Sequence, residues 1–154
     1  MRRQDREMKN IGDIINTMKK CEVCRLALNG DNGYPYIIPL NFGLDLEDDK
    51  IKIIFHSANE GKKIELFTKD NRASFEMDYG HRIESSEEKG YCTAHFESVI
   101  GQGKIRILED SEKEEALNKL MAHYHPEGFN YSKAAIPRTI VYCLEVESIT
   151  GKIK

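Results

Sequence analysis

A glycine followed by two lysines, in "FHSANEGKKIELF" (55–67), offers the most definite chemistry in the chain. Apolar residues alternate before it at Ile51, Ile53 and Phe55 and resume after it at Ile64, Leu66 and Phe67. A strand buried on at least one face therefore opens into a small-residue turn, and a short helix follows. At such a helix start the free backbone N–H groups and the dipole favour negative charge. Lys62 and Lys63 add cations there, and Ser57 adds a hydroxyl donor. Each charge-assisted hydrogen bond contributes roughly 1.5–3 kcal/mol, so several together could anchor a phosphate. The triplet alone decides nothing, because short motifs recur by chance and two solvated surface lysines are their ordinary outcome.

Other candidates are weaker. Cys21 and Cys24 have redox or zinc spacing, but they follow a helix and enter a strand, with no second close pair; Cys92 and Cys143 are isolated. They read as buried, inert thiols, and no metal site is expected. His123 and His125 stand two apart at a helix end, where a helix directs them to different faces, so capping is the expected role. His95 falls on an alternating strand and reads as structural. "GQGK" (101–104) lacks the third glycine and the βαβ setting of a dinucleotide fold, so it is a bend. Nothing places a hydroxyl beside a base, so no Ser–His–acid grouping emerges.

The elements that must hold these residues follow from pattern. Ile11, Ile14, Ile15 and Met18 share a helical face over residues 10–20, with Asn10 as N-cap. "VCRLAL" and "YPYIIPLNF" flank "NGDNG" as a hairpin, and Pro35 and Pro39 mark its second arm as an edge or interrupted strand. A third strand spans 50–56, a short helix about 60–68, and a fourth strand "RASFEMDY" (72–79). Residues 81–90 read as a solvated loop. A long strand over 91–110 is interrupted at Gly101 and Gly103. Ser111 and Glu114 predict a capping box for the next helix, and after a loop bounded by Pro126 and Pro137 a last strand covers 139–152. Six strands with few crossover helices predict an antiparallel barrel of the α+β class.

Composition bounds the rest. The 154 residues suffice for a single domain with its own core, over 1–154. A net charge of −3 argues against a nucleic-acid or anionic-membrane binder. The longest apolar runs are only a few residues, so no membrane span is expected. The start "MRRQDREMKN" has no apolar stretch behind its charges, so a secretory signal is not expected; with four cysteines this points to reduced thiols in the cytoplasm.

Taken in order and spacing, "PYIIPLNFG" (35–43), "FHSANEGKKIE" (55–65), "ESVIGQGKI" (97–105) and "ITGK" (149–152) resemble the pyridoxamine 5′-phosphate oxidase-like flavoproteins, and among them the nitroimidazole-resistance (Nim-type) proteins. The opening "MRRQDRE" is also similar. The resemblance implies a six-stranded split β-barrel forming a homodimer, with FMN at the subunit interface. It implies that Lys62 and Lys63 hold the FMN phosphate, and that His56, Ser57 and Ala58 line the ribityl and phosphate end. Pro39, Leu40, Asn41 and Phe42 would run along the isoalloxazine edge, and Ser98, Val99 and Ile100 would approach from the long strand. One departure stands out: relatives commonly carry Tyr and a basic residue where this chain has Phe96 and Glu97. That removes a hydroxyl and adds a negative charge beside the site.

The function so implied is FMN-dependent reduction of a small-molecule acceptor, such as a nitro compound. His56 is the titratable side chain suited to proton delivery near neutral pH, or else a hydrogen-bond partner of the cofactor. The alternative is a flavin- or haem-binding split barrel without turnover. Pyridoxamine phosphate oxidase activity itself is disfavoured, because the chain lacks the longer Arg-containing C-terminal region of those enzymes.

Overall fold

Asn10 starts the first helix through its side chain, which accepts the Gly12 N–H at 2.8 Å, and α1 (Ile11–Lys20) follows. This and all later geometry come from a computed structural model that describes residues 3–47 and 50–154. The first two residues of "MRRQDRE" thus lie outside the described residues. Ahead of α1 stand a 3₁₀ turn (Gln4–Arg6) and the two-residue strand β1 (Glu7–Met8). The hairpin β2 (Cys24–Asn29) and β3 (Pro35–Leu40) comes next, then β4 (Gly43–Asp45), β5 (Lys52–Ala58) and α2 (Lys62–Lys69). The chain continues through β6 (Arg72–Ser86), β7 (Tyr91–Ile107), α3 (Asp110–Tyr124) and a 3₁₀ turn (Lys133–Arg138) to β8 (Thr139–Ile153).

All eight strands form one antiparallel sheet, in the order β3-β2-β6-β7-β8-β5-β4, with β1 on the C-terminal end of β8. Its inner face carries Leu26, Phe75, Val99, Ile105, Leu144, Ile53 and Phe55, all buried. Ile14 and Met18 of α1 and Leu66 and Phe67 of α2 close that cluster, so the sheet curls around them as a split β-barrel. A second cluster lies on the outer face, where Ala116, Leu117 and Leu120 of α3 cover Ile54, Val141 and Cys143. Elsewhere the outer face is open. Register sets Pro39, Arg25, Glu76, Ile100 and Thr150 in one row across β3, β2, β6, β7 and β8. Ile37 and Ile100 are 63% and 55% exposed on it.

Several expectations shift. The fold class holds, but the described residues form eight strands, not six; the two extra ones, β1 and β4, are two and three residues long and too short to show a period. The third strand runs 52–58, not 50–56, and the following helix starts at Lys62. Residues 81–86 are no loop: they extend β6 as a two-stranded ribbon with β7, from Arg82↔His95 to Ser86↔Tyr91. Both faces of that ribbon meet water, so no apolar alternation announces it. The helix α3 starts one residue before Ser111, with Glu109 as N-cap; its N–H donates to the Glu112 carboxylate at 2.9 Å, so the box is Glu109–Glu112 and not Ser111–Glu114. The bend at "GQGK" is confirmed as a register shift between Gln102 and Gly103. A Cβ on Gly103 would stand 2.1 Å from the Glu145 carbonyl oxygen, so only glycine allows β7 and β8 to approach there. β3, with its two prolines, is the sheet edge, where missing ladder donors cost least.

Candidate functional site

The end of β5 and the start of α2 bring five of the predicted residues together: His56, Ser57, Ala58, Lys62 and Lys63. Gly61 caps α2 at φ 122°, a backbone conformation that L side chains rarely adopt, and no side chain caps the helix. Its carbonyl accepts the Ile64 and Glu65 N–H groups at 2.9 and 3.3 Å. The N–H groups of Lys62 and Lys63 precede the first of these bonds, so they are the unpaired donors of this helix start.

The two lysines differ. Lys62 pairs with Asp31 of the β2–β3 turn, which also takes Lys69 at 3.0 Å, and it lies 3.6 Å from Glu65. Lys62 in turn holds the Asp31 carboxyl below its usual range. Lys63 forms no ion pair among the described residues and is half-buried. It is the uncommitted cation of the turn.

Ser57 and His56 point to opposite faces of β5. The Ser57 hydroxyl donates to the Ala58 carbonyl at 2.8 Å. His56 is exposed on the outer side, opposite Val141, yet desolvation by its neighbours still lowers its pKa below the usual imidazole range. Desolvation thus favours its neutral form.

The other two segments lie apart. Pro39 and Asn41 are exposed and Leu40 packs half-buried on the core. Phe42 is fully buried, with its ring 4.3 Å from His123 and its N–H donated to the Tyr124 hydroxyl at 3.0 Å. Tyr124 donates in turn to the Glu22 carbonyl at 2.8 Å, and His123 Nε2 lies 2.8 Å from the Cys21 carbonyl. These two α3 residues position the Phe42 segment, a role the sequence reading missed; the only hint was the polar-aromatic run "HYH" at a helix end. On β7, Val99 is buried in the core while Ser98 and Ile100 face outward. β8 separates β5 from β7, and β2 and β6 separate β3 from β7. Five cavities of the single chain, of about 170 to 700 Å³, are lined by none of the predicted residues.

The departure at Phe96 and Glu97 is absorbed locally. Glu97 accepts from Lys20 at 2.8 Å and from Thr17 at 2.7 Å, so its charge is compensated. Phe96 stacks on His81 at 5.8 Å between ring centroids, and the Lys152 ammonium lies 5.1 Å from the centroid of the Phe96 ring. Cys21, Cys24 and Cys143 are buried and Cys92 is exposed. Burial pushes the Cys21 and Cys143 thiols up to about 11 and Cys24 higher still, which suits inert thiols. No group of three metal-ligating side chains occurs among the described residues, and no helix there is long and apolar enough to cross a membrane.

A curled antiparallel sheet with helices plugging its inner face defines the split-barrel class of protein. Within that class, a profile of the pyridoxamine 5′-phosphate oxidase family matches residues 12–153, and the chain belongs to that family. No curated protein matches by sequence. Among solved structures it is similar to a candidate 5-nitroimidazole antibiotic resistance protein from Bacteroides thetaiotaomicron, with 26% identity and a TM-score of 0.83 over 96% of this chain and 86% of that one. The fold is shared with an FAD and haem binding protein of Mycobacterium smegmatis (TM-score 0.81, 14% identity, 97% and 73% covered). It is also shared with an FAD-binding protein of Mesorhizobium loti (TM-score 0.66, 20% identity, 97% of both chains).

Proposed function

We propose that this chain is an FMN-binding flavoprotein, active as a homodimer, that passes electrons to a small-molecule acceptor of the nitroaromatic kind. The observation that carries the reading is the β5–α2 turn: within seven residues it carries two unpaired amides, the Ser57 hydroxyl and Lys63, which has no ion pair among the described residues. That donor set suits a phosphate monoester. Lys63 is the main cation and Lys62 the lesser one, since Asp31 already holds it. Ala58 and His56 flank the ribityl end.

Bound FMN would supply the redox chemistry, and the chain supplies binding, orientation and a proton. The exposed Pro39 and Asn41 offer carbonyl and amide groups to a ring edge, and Leu40 and Phe42 hold that segment to the core. Ser98 and Ile100 present a polar and an apolar contact from the open outer face, and buried Val99 fixes their strand. His56, whose neutral form is favoured by desolvation, donates or accepts a hydrogen bond at the cofactor and delivers a proton once charged. The three segments are spread across the sheet of one chain, which supports a site shared between two copies, with the open outer face around Ile37 and Ile100 against the partner.

The absorption spectrum of the purified protein, followed by titration with FMN and riboflavin, tests this. FMN should bind at least tenfold more tightly than riboflavin, because only FMN carries the phosphate. Equal affinities would remove the phosphate assignment. Anaerobic reduction by NADPH or NADH and reoxidation by a nitroaromatic acceptor then separates the oxidoreductase from a flavin- or haem-binding module without turnover.

A further inference from the structure

Among the described residues, the Tyr142 hydroxyl is the one buried side-chain polar atom without a hydrogen-bond partner. The residue is fully buried, and its ring is held 5.5 Å from Phe55 of β5 and 5.0 Å from Phe67 of α2. An orphaned buried hydroxyl is costly, and replacing it by hydrogen would remove the cost. Its position is specific. Tyr142 opposes Phe55 in register and Ile140 opposes Ser57, so Tyr142 and Ser57 are diagonal neighbours on the inner face, within reach of an aromatic side chain. Ser57 meanwhile uses its single proton on the Ala58 carbonyl at 2.8 Å. Two hydroxyl-bearing residues are thus diagonal neighbours near the end of β5, one hydroxyl unpaired and one turned onto its own backbone.

We infer that Tyr142 is a positioning residue for the phosphate turn: its hydroxyl donates to Ser57 Oγ when the Ser57 hydroxyl turns from the Ala58 carbonyl to a bound phosphate monoester. The inference rests on the reading of that turn as the FMN phosphate site. Ser57 can then donate to the anion and accept from Tyr142 at once, which a hydroxyl with one proton and two lone pairs allows. The phenol, which lacks a well-formed hydrogen bond in the ligand-free chain, completes one in the liganded state, so part of the binding free energy comes from the core and not from contact with the ligand. Burial, and then Cys24, raise the phenol's pKa, and the nearby Ser57 side chain lowers it, which places the two groups close together. The phenol stays a neutral donor at neutral pH.

Tyr142→Phe, Ser57→Ala and the double variant test this by quenching of flavin fluorescence, with FMN and riboflavin as probes. Tyr142→Phe should weaken FMN binding about three- to tenfold and leave riboflavin unchanged. Added to Ser57→Ala it should cost nothing more, since the phenol acts through that hydroxyl. The ligand-free Tm of Tyr142→Phe should equal or exceed that of the wild type, because an unpaired hydroxyl has been removed. A ligand-free Tm several degrees lower, an unchanged FMN affinity, an equal loss for riboflavin, or additive losses in the double variant would each overturn the inference. If the wild-type protein itself prefers neither flavin, the phosphate reading fails and this role goes with it. If the preference is present and survives Tyr142→Phe, the role of Tyr142 alone fails.

Discussion

Two adjacent lysines of the same type are made unequal by one carboxylate. Asp31 engages Lys62 and Lys69, and Lys63 has no ion pair among the described residues. Lys63→Ala should therefore lower FMN affinity about ten- to a hundredfold, the loss of a charge-assisted bond of roughly 1.5–3 kcal/mol. Lys62→Ala should cost less, and both should leave riboflavin binding nearly unchanged. Replacing Cys21 and Cys24 by Ala serves as the control, since their buried thiols should affect stability and not FMN. Fluorescence titration of the variants distinguishes these cases; a cysteine variant that loses FMN while Lys63→Ala keeps it would overturn the assignment. His56 makes a pH-dependent prediction. Its folded pKa is lowered, so the unfolded chain binds the proton more readily. The stability tied to neutral His56 is present above the ordinary value near 6.5 and is lost as pH falls below it. His56→Gln should flatten the loss of Tm on acidification below about pH 6.5; an unchanged acid slope would remove His56 from that balance.

Elements are where local signals were strongest and also where they stopped. Asn10, the Asn-Gly turn, the paired prolines of β3 and the glycines of β7 each act through backbone chemistry that a sequence displays directly. Gly103 is the sharpest case, because a methyl group there would collide with the Glu145 carbonyl at 2.1 Å. Gly103→Ala should destabilise the protein by about 1–3 kcal/mol, with β7 or β8 shifting to relieve the contact, and calorimetry or denaturant unfolding measures it. A variant as stable as the wild type would mean that the bulge at Gln102 absorbs the methyl group. The β6 arm of the ribbon beyond Tyr79 reads as a loop for the opposite reason, although its β7 partner falls on the predicted long strand. Its backbone groups are satisfied by each other while both faces stay in water, so side-chain type carries no trace of the pairing.

At the scale of the molecule, the spread of the candidate site bears on assembly. The turn at the end of β5 and the outer face around Pro39 and Ile100 belong to parts of the sheet separated by other strands. In the proposed homodimer such parts from two copies would meet, and the exposed Ile37 and Ile100 would supply apolar contact. Light scattering at micromolar protein should give twice the 17.7 kDa chain mass. A monomer that still takes up FMN tightly would reject the shared site.

How much of this was legible beforehand depends on range. Motifs that work within a few residues were readable: the Gly61-Lys62-Lys63 helix start, the edge prolines and the bend at Gly103 all depend on local backbone geometry. The class of fold followed from how many strands alternate and how few helices cross between them, apart from the short β1 and β4, which are pinned by neighbours and not by their own pattern. What the tertiary structure alone decided was pairing at a distance. Asp31 reaches Lys62 across 31 positions, Tyr124 reaches Phe42 across 82, and Tyr142 comes diagonal to Ser57 through the β5–β8 register. Hydrogen bonds and ion pairs between such residues depend on how the sheet curls, and no spacing along the chain encodes that.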